Sequence, residues 1–230
     1  MNRNGLTKLS LFSGILGDDL ASEWAGIQTV CCVEIDPFCQ SVIKKHYPNM
    51  PIIGDIHDVT KEKVNEISGY EWVDIIAGGD PCQPRSIAGK RRGRADDRDL
   101  WSEMFRIIRE FKPAWVVNEN PTGRLTMDFH EVLSDLESAG YETRSFVIPA
   151  CAVNAPHRRN RLFIVANSHA ERLQGYRQSG ESARELTTAQ SAWKASWLEI
   201  ATSLCGVDDG FSNRVARLKA LGNAQVPQQV

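Results

Sequence analysis

No apolar run in this chain of 230 residues is long enough to cross a bilayer. The longest, at 74–77, 114–117 and 162–166, fall far short of the ~20 residues that a spanning helix needs. The opening MNRNGLTKLSLF has neither an apolar core of secretory length nor a cleavage-like site, so a cytoplasmic chain with no membrane association is the expectation. CxxC spacing is absent as well. The six cysteines stand at 31, 32, 39, 82, 151 and 205, with no second Cys/His cluster to complete a zinc site. A disulfide framework and a bound metal are therefore not expected; a reduced compartment and at least one reactive thiol are. Net charge is small, −2, which neither requires nor forbids a nucleic-acid partner. There is no internal repeat and no low-complexity tract.

What is present is an ordinary globular composition, 42% hydrophobic and 24% charged, which excludes disorder as the dominant state. The pattern predicts a strand over 8–12, a helix over 19–26 and a second apolar run over 29–34. Asp36 caps a helix over 37–47 that has Pro37 at its first position. Ile52-Ile53, a break at Gly54-Asp55, a polar helix from Thr60 and a strand over 72–77 follow. Then come a helix over 100–111, a strand over 115–117, a helix over 128–139 and strands over 143–148 and 161–166. Strands alternating with helices predict an α/β fold, a doubly wound, mostly parallel sheet with helices on both faces. Ligands of such sheets bind beyond the carboxyl ends of the strands, so the loops after Phe12, Glu34, Ile53, Ala77 and Val117 should meet at one rim. Composition divides the chain into an α/β domain at 1–166, a short polar segment at 167–211 and a C-terminal segment at 212–230 that reads as shortened.

The first of these loops holds Gly14 and Gly17 but lacks the third glycine of GxGxxG, so a dinucleotide site is the weakest reading and a plain turn stays open. Glu34 and Asp55, at the next two strand ends, can each accept hydrogen bonds from a ribose, or simply be solvated. The segment Gly78-Gly79-Asp80-Pro81-Cys82-Gln83-Pro84 is more informative. Prolines on both sides stiffen the backbone around a thiol at a strand's carboxyl end, where a nucleophile can be presented. A buried structural cysteine is the alternative. The following Lys90, Arg91, Arg92, Arg94 and Arg98 favour a thiolate and attract phosphates, or form a solvated face beside Asp96 and Asp97.

Phe12-Ser13-Gly14, Gly79-Asp80-Pro81-Cys82-Gln83-Pro84, Glu119-Asn120, Pro156-His157-Arg158-Arg159-Asn160-Arg161 and Gly222-Asn223-Ala224 occur in the order of the cytosine-5 DNA methyltransferase motifs. The chain resembles the compact phage and bacterial members of that family, over nearly its whole length. The resemblance implies an S-adenosylmethionine-dependent enzyme that methylates carbon 5 of cytosine in double-stranded DNA, as a monomer, in a restriction–modification setting. It implies Cys82 as the nucleophile that adds to carbon 6 of a flipped-out base. Glu119 would act on the ring nitrogen as a carboxylic acid raised by burial, beside Asn120. Arg159 and Arg161, alternating at the start of a strand, would share one face and support the catalytic loop and the base. Phe12, Gly14, Gly17, Glu34, Asp55, Ile56, Pro81, Leu100 and Asn223 match positions around the cofactor.

The chain departs from the family pattern at several points. Leu16 stands where a glycine is usual, and a side chain at that turn is expected to crowd the cofactor. Asp18-Asp19 replace small or apolar residues. Asp80 and Arg85 stand where aromatics are common; Asp80 should raise the Cys82 pKa and Arg85 should oppose it. Glu-Asn-Val reads Glu119-Asn120-Pro121, and residues 167–210 leave room for a few base contacts only. Two other readings therefore stay open, a catalytically impaired DNA-binding remnant and an RNA cytosine-5 methyltransferase.

Overall fold

The computed structural model describes residues 5–81, 100–153, 155, 157–168 and 227. Cys82, Arg85, Asn223 and nearly all of the expected segments 167–211 and 212–230 lie outside the described residues.

Seven strands form one sheet: β1 (Thr7–Leu11), β2 (Gln28–Val33), β3 (Ile52–Ile53), β4 (Ile75–Gly78), β5 (Trp115–Pro121), β6 (Glu142–Pro149) and β7 (Asn160–Asn167). Among the described residues five helices connect them: α1 (Gly17–Trp24), α2 (Pro37–His46), α3 (Lys61–Ser68), α4 (Trp101–Phe111) and α5 (Phe129–Ser138). The strand order is β3-β2-β1-β4-β5-β7-β6. β1 to β5 are parallel, and β7 runs antiparallel between β5 and β6. The mostly parallel α/β sheet expected from the sequence is what forms.

Local chemistry sets the helix starts. The Asp36 carboxylate accepts from the Phe38 amide at 2.8 Å ahead of Pro37, and Thr60 Oγ1 accepts from the Lys63 amide at 3.1 Å. Each satisfies one of the orphan donors of a helix N-terminus. The chain builds outward from β1 to β3 and then returns to the other side of β1 with β4, so right-handed crossovers place α1 and α2 on one face and the later helices on the other. The alternation of β1 agrees with this. Leu9 and Leu11 enter the large core with Val64, Met104, Ile107, Ile108, Phe111, Val132 and Leu136. On the opposite face, Lys8 and Ser10 bond to Asp18 and Asp19 of α1. Cys32, on that same face, packs with Leu16 and with Ile43 of α2 in a small separate cluster.

Two expectations are corrected. β5 does not end at 117 but continues to Pro121, because Asn118, Glu119, Asn120 and Pro121 all pair with β7. Arg159 is not part of the strand: β7 begins at Asn160, and Arg159 sits at φ 32°, so strict alternation does not put it on one face with Arg161.

Candidate active site

The carboxyl ends of β1, β2 and β3 bring one half of the site together. After Leu11 the chain turns through Phe12 (φ 54°), Gly14 (φ 55°) and Leu16 (φ 68°), three left-handed residues within five positions. Glycine occupies that region freely, whereas each non-glycine residue there costs about 1–2 kcal/mol. The strained turn is held by hydrogen bonds. Ser13 Oγ donates to the Ser10 carbonyl at 3.0 Å and accepts from the Val33 amide at 3.2 Å. The Gly14 amide donates to Glu34 Oε2 and the Asp36 amide to Glu34 Oε1, both at 2.7 Å. Glu34 thus ties the loop after β1 to the loop after β2. Burial raises its carboxyl above the usual range, and the Asp36 and Gly14 amides oppose that. Each carboxylate oxygen retains acceptor capacity for a hydroxyl partner.

Leu16 corrects the expectation of crowding. Its side chain is 2% exposed and packs against Cys32 and Ile43, turned into the protein and away from the rim. Gly17 opens α1. Asp55 accepts from the His57 amide at 2.9 Å and faces His57 Nδ1 at 2.7 Å. These bonds hold the Asp55 carboxyl below, and the His57 ring above, its ordinary range, with both groups largely in water. Ile56 is a core residue with little surface to offer, and Leu100 packs against the same core at the head of α4. Ile35, beside Glu34, is 70% exposed, an apolar side chain presented at the rim that the sequence reading passed over.

The ends of β4, β5 and β7 form the other half. Gly78 and Gly79 allow a close approach: a Cβ on Gly78 would collide with the Leu11 carbonyl, and one on Gly79 would lie 2.6 Å from the Glu119 carbonyl and 3.2 Å from Glu119 Oε2. Glu119, on the extension of β5, is buried, and Arg161 Nε of β7 reaches its Oε1 at 2.7 Å. Glu119 and Arg161 are therefore neighbours beside the strand end that leads to exposed Pro81. Burial and the Arg161 charge lower the half-buried Arg159, while Glu119 acts in the other direction. Burial, then the Arg159 and Arg161 charges, likewise lower His157.

Asp80 is where the charge argument from sequence changes. It is 4% exposed, and its Oδ1 accepts from Asn118 Nδ2 at 2.8 Å, Asn120 Nδ2 at 3.1 Å and Arg124 Nη1 at 2.5 Å. The counter-charge expected from Arg85 is supplied in the described residues by Arg124, 44 positions away. No local pattern marks that pairing.

A second buried network lies under the first loop. Lys8 Nζ, 1% exposed, reaches Asp18 Oδ2 at 2.6 Å, Ser22 Oγ at 2.6 Å and Asp19 Oδ1 at 3.1 Å. Asp19 also accepts from Ser10 Oγ at 3.0 Å and Thr29 Oγ1 at 2.7 Å. Burial raises Asp18 despite Lys8. The acidic pair that broke the sequence pattern is thus answered by a buried lysine. Cys31, Cys32 and Cys39 are buried, and burial pushes the Cys31 thiol up to about 12, so these read as packing residues. Among the described residues there is no cluster fit to hold a metal ion, and no helix is long and apolar enough to cross a membrane.

The sheet order, with its antiparallel β7, gives a fold shared with solved methyltransferase structures. A structure of a Spodoptera frugiperda DNMT2 variant superimposes with a TM-score of 0.62 at 22% identity, over 73% of this chain and 51% of that one. The sequence pattern of the C-5 cytosine-specific DNA methylases matches residues 6–213, and the chain belongs to that family. It is similar to the type II methyltransferase M.AquIA of Picosynechococcus sp., 34% identical over 175 residues, 69% of this chain and 71% of that protein. It is also similar to the type II methyltransferase M.NgoMIV of Neisseria gonorrhoeae, 30% identical over 165 residues, 70% of this chain and 51% of that protein. The chain thus spans about half the length of the Neisseria relative and of the insect structure.

Proposed function

We propose that this chain acts in the S-adenosylmethionine-dependent methylation of cytosine carbon 5 in double-stranded DNA, in a modification role like that of type II methyltransferases. The observation that carries the reading is the ion pair of buried Glu119 on β5 with partly buried Arg161 on neighbouring β7, beside the glycines that precede Pro81-Cys82. A cytosine ring is too electron-poor at carbon 5 to accept a methyl group unaided. The Cys82 thiolate forms a bond to carbon 6, and the displaced electron pair is taken up by the ring. Glu119 hydrogen-bonds the ring nitrogen edge where charge develops, and Arg161 fixes the orientation of its carboxyl. Carbon 5 is then nucleophilic. Loss of its proton after methyl transfer expels the sulfur and restores the ring. The duplex stack hides both ring faces, so the target base leaves the helix to reach the site, with Arg159 and Arg161 lining its approach.

S-adenosylmethionine supplies the methyl group when bound. The rim fits such a group: the 12–16 turn brings backbone close, Ile35 offers an apolar surface to a purine, and the Glu34 and Asp55 oxygens can accept from ribose and amino groups. Phe12, Gly14, Gly17, Ile56, Pro81, Leu100 and Asn223 complete the proposed cofactor contacts. Residues 1–166 would form the catalytic domain, 167–211 a reduced recognition segment and 212–230 a return to the catalytic domain.

A duplex carrying 5-fluorocytosine tests the adduct, because fluorine replaces the proton that must leave. With S-adenosylmethionine present, a protein–DNA species stable to denaturing electrophoresis is expected for the full chain and not for Cys82→Ala. Equal trapping by both proteins, or none by the folded wild type, contradicts the assignment of Cys82.

A further inference from the structure

Asp80 and Trp101, described residues on either side of the segment that carries Cys82, meet one side chain. On the first side, Asp80 Oδ1 accepts from Arg124 Nη1 at 2.5 Å and from Asn118 and Asn120 of β5. On the second side, the Arg124 guanidinium carbon lies 5.5 Å from the ring centroid of Trp101, the first residue of α4, within cation–π range. Trp101 is itself fixed by donating Nε1 to Asp135 of α5 at 2.9 Å. Arg124 Nη2 donates to Asp128 at 3.0 Å, and the arginine side chain is completely shielded from water. A buried charge is tolerated only when paired and bonded, and this one meets an acid on one side and an aromatic face on the other.

We propose that Arg124 and Asp80 form one positioning unit, which ties together the described residues on either side of the segment that carries Cys82 and offsets the negative charge that Asp80 would otherwise place beside the thiol. The proposal rests on the reading of Cys82 as nucleophile. Asp80 and Cys82 are two residues apart, hence within about 7 Å along the backbone, a range at which one uncompensated buried charge strongly biases thiol against thiolate. The sequence reading sets Arg85, which lies outside the described residues, against Asp80; among the described residues the partner of Asp80 is Arg124, in the 3-10 turn after β5, Thr122–Thr126.

Alkylation of Cys82 by iodoacetamide at pH 7, followed peptide by peptide in the folded full chain, separates charge compensation from mere support. Asp80→Asn leaves the Arg124 cation in place and should speed the reaction by about three- to tenfold; Arg124→Gln leaves the Asp80 anion and should slow it by a similar factor. Loss of support alone would loosen the loop in both variants and speed both. Two accelerations, or no change in either, overturn the proposal. If Arg124→Gln does not fold, Arg124→Lys takes its place: it keeps the cation and should stay within about twofold of wild type while Asp80→Asn is faster, and equal acceleration of the two overturns the proposal. Absence of Cys82-dependent methylation by wild type would instead undo the assignment of Cys82 as nucleophile, and is read separately from the alkylation signs.

Discussion

At the scale of single residues, Leu16, Asp18, Asp19 and Asp80, four departures from the family pattern, have structural partners. Leu16 holds a left-handed backbone that glycine would adopt freely, yet its side chain completes the cluster with Cys32 and Ile43. Leu16→Gly relieves about 1–2 kcal/mol of strain and forfeits about 2–5 kcal/mol of packing. A net destabilisation of about 1–3 kcal/mol in urea unfolding is expected, with no gain in S-adenosylmethionine affinity. A tighter-binding variant would restore the crowding expected from sequence. Glu119 makes its ion pair with Arg161 and flanks Gly79. Glu119→Gln keeps the shape and removes the carboxyl group that would serve the ring nitrogen edge, so kcat for methyl transfer should fall by about 10²–10⁴ with little change in cofactor affinity. Single-turnover transfer at saturating cofactor checks this, and a kcat within twofold of wild type would remove Glu119 from the chemistry. Cys82 and Glu34 were legible as candidates because a thiol or carboxylate just past a strand is visible in one dimension, and Glu119 through the family motif that contains it. Arg124 and Lys8 were not, since each gains its meaning from a partner on another element.

At the scale of elements, β1 and α1 are joined by ionic groups where many α/β proteins use apolar ones. Lys8, Asp18 and Asp19 are buried together with one cation between two carboxyls. Asp18 is raised chiefly by burial, so the folded state holds its proton more tightly than the unfolded chain does. The stability from that proton is fully present below about pH 4, the unfolded carboxyl range, and is lost as pH rises through the higher folded value. Asp18→Asn cannot ionise and should escape this loss. Thermal melts from pH 4 to 7 should show wild type falling relative to Asp18→Asn as pH rises, and parallel profiles would contradict the shift. The helix caps at Asp36 and Thr60 were readable because capping is local. The true end of β5 was not, because Asn118, Glu119 and Asn120 are polar residues kept in a strand by pairing with β7, some 40 residues further on. Arg159 was misplaced for the converse reason: periodicity extrapolates a strand backward past the residue where the backbone turns.

At the scale of the whole molecule, alternating strand and helix signals were enough for the sheet class. The antiparallel insertion of β7 between β5 and β6 was not readable from those signals, since a strand's direction depends on its connection and not on its composition. Two clusters at one rim follow from that topology, the proposed cofactor half built on β1, β2 and β3 and the proposed base half built on β4, β5 and β7. The central claim is that the two halves act together on cytosine in DNA through Cys82. Bisulfite sequencing of DNA from a host without its own cytosine methylation, after expression of this chain or of Cys82→Ala, tests it most directly. The account predicts methylated cytosines at a recurring short sequence with the wild-type chain and none with the variant; wild-type protein that is folded and leaves the DNA unmethylated, or methylation that survives the loss of Cys82, would contradict it.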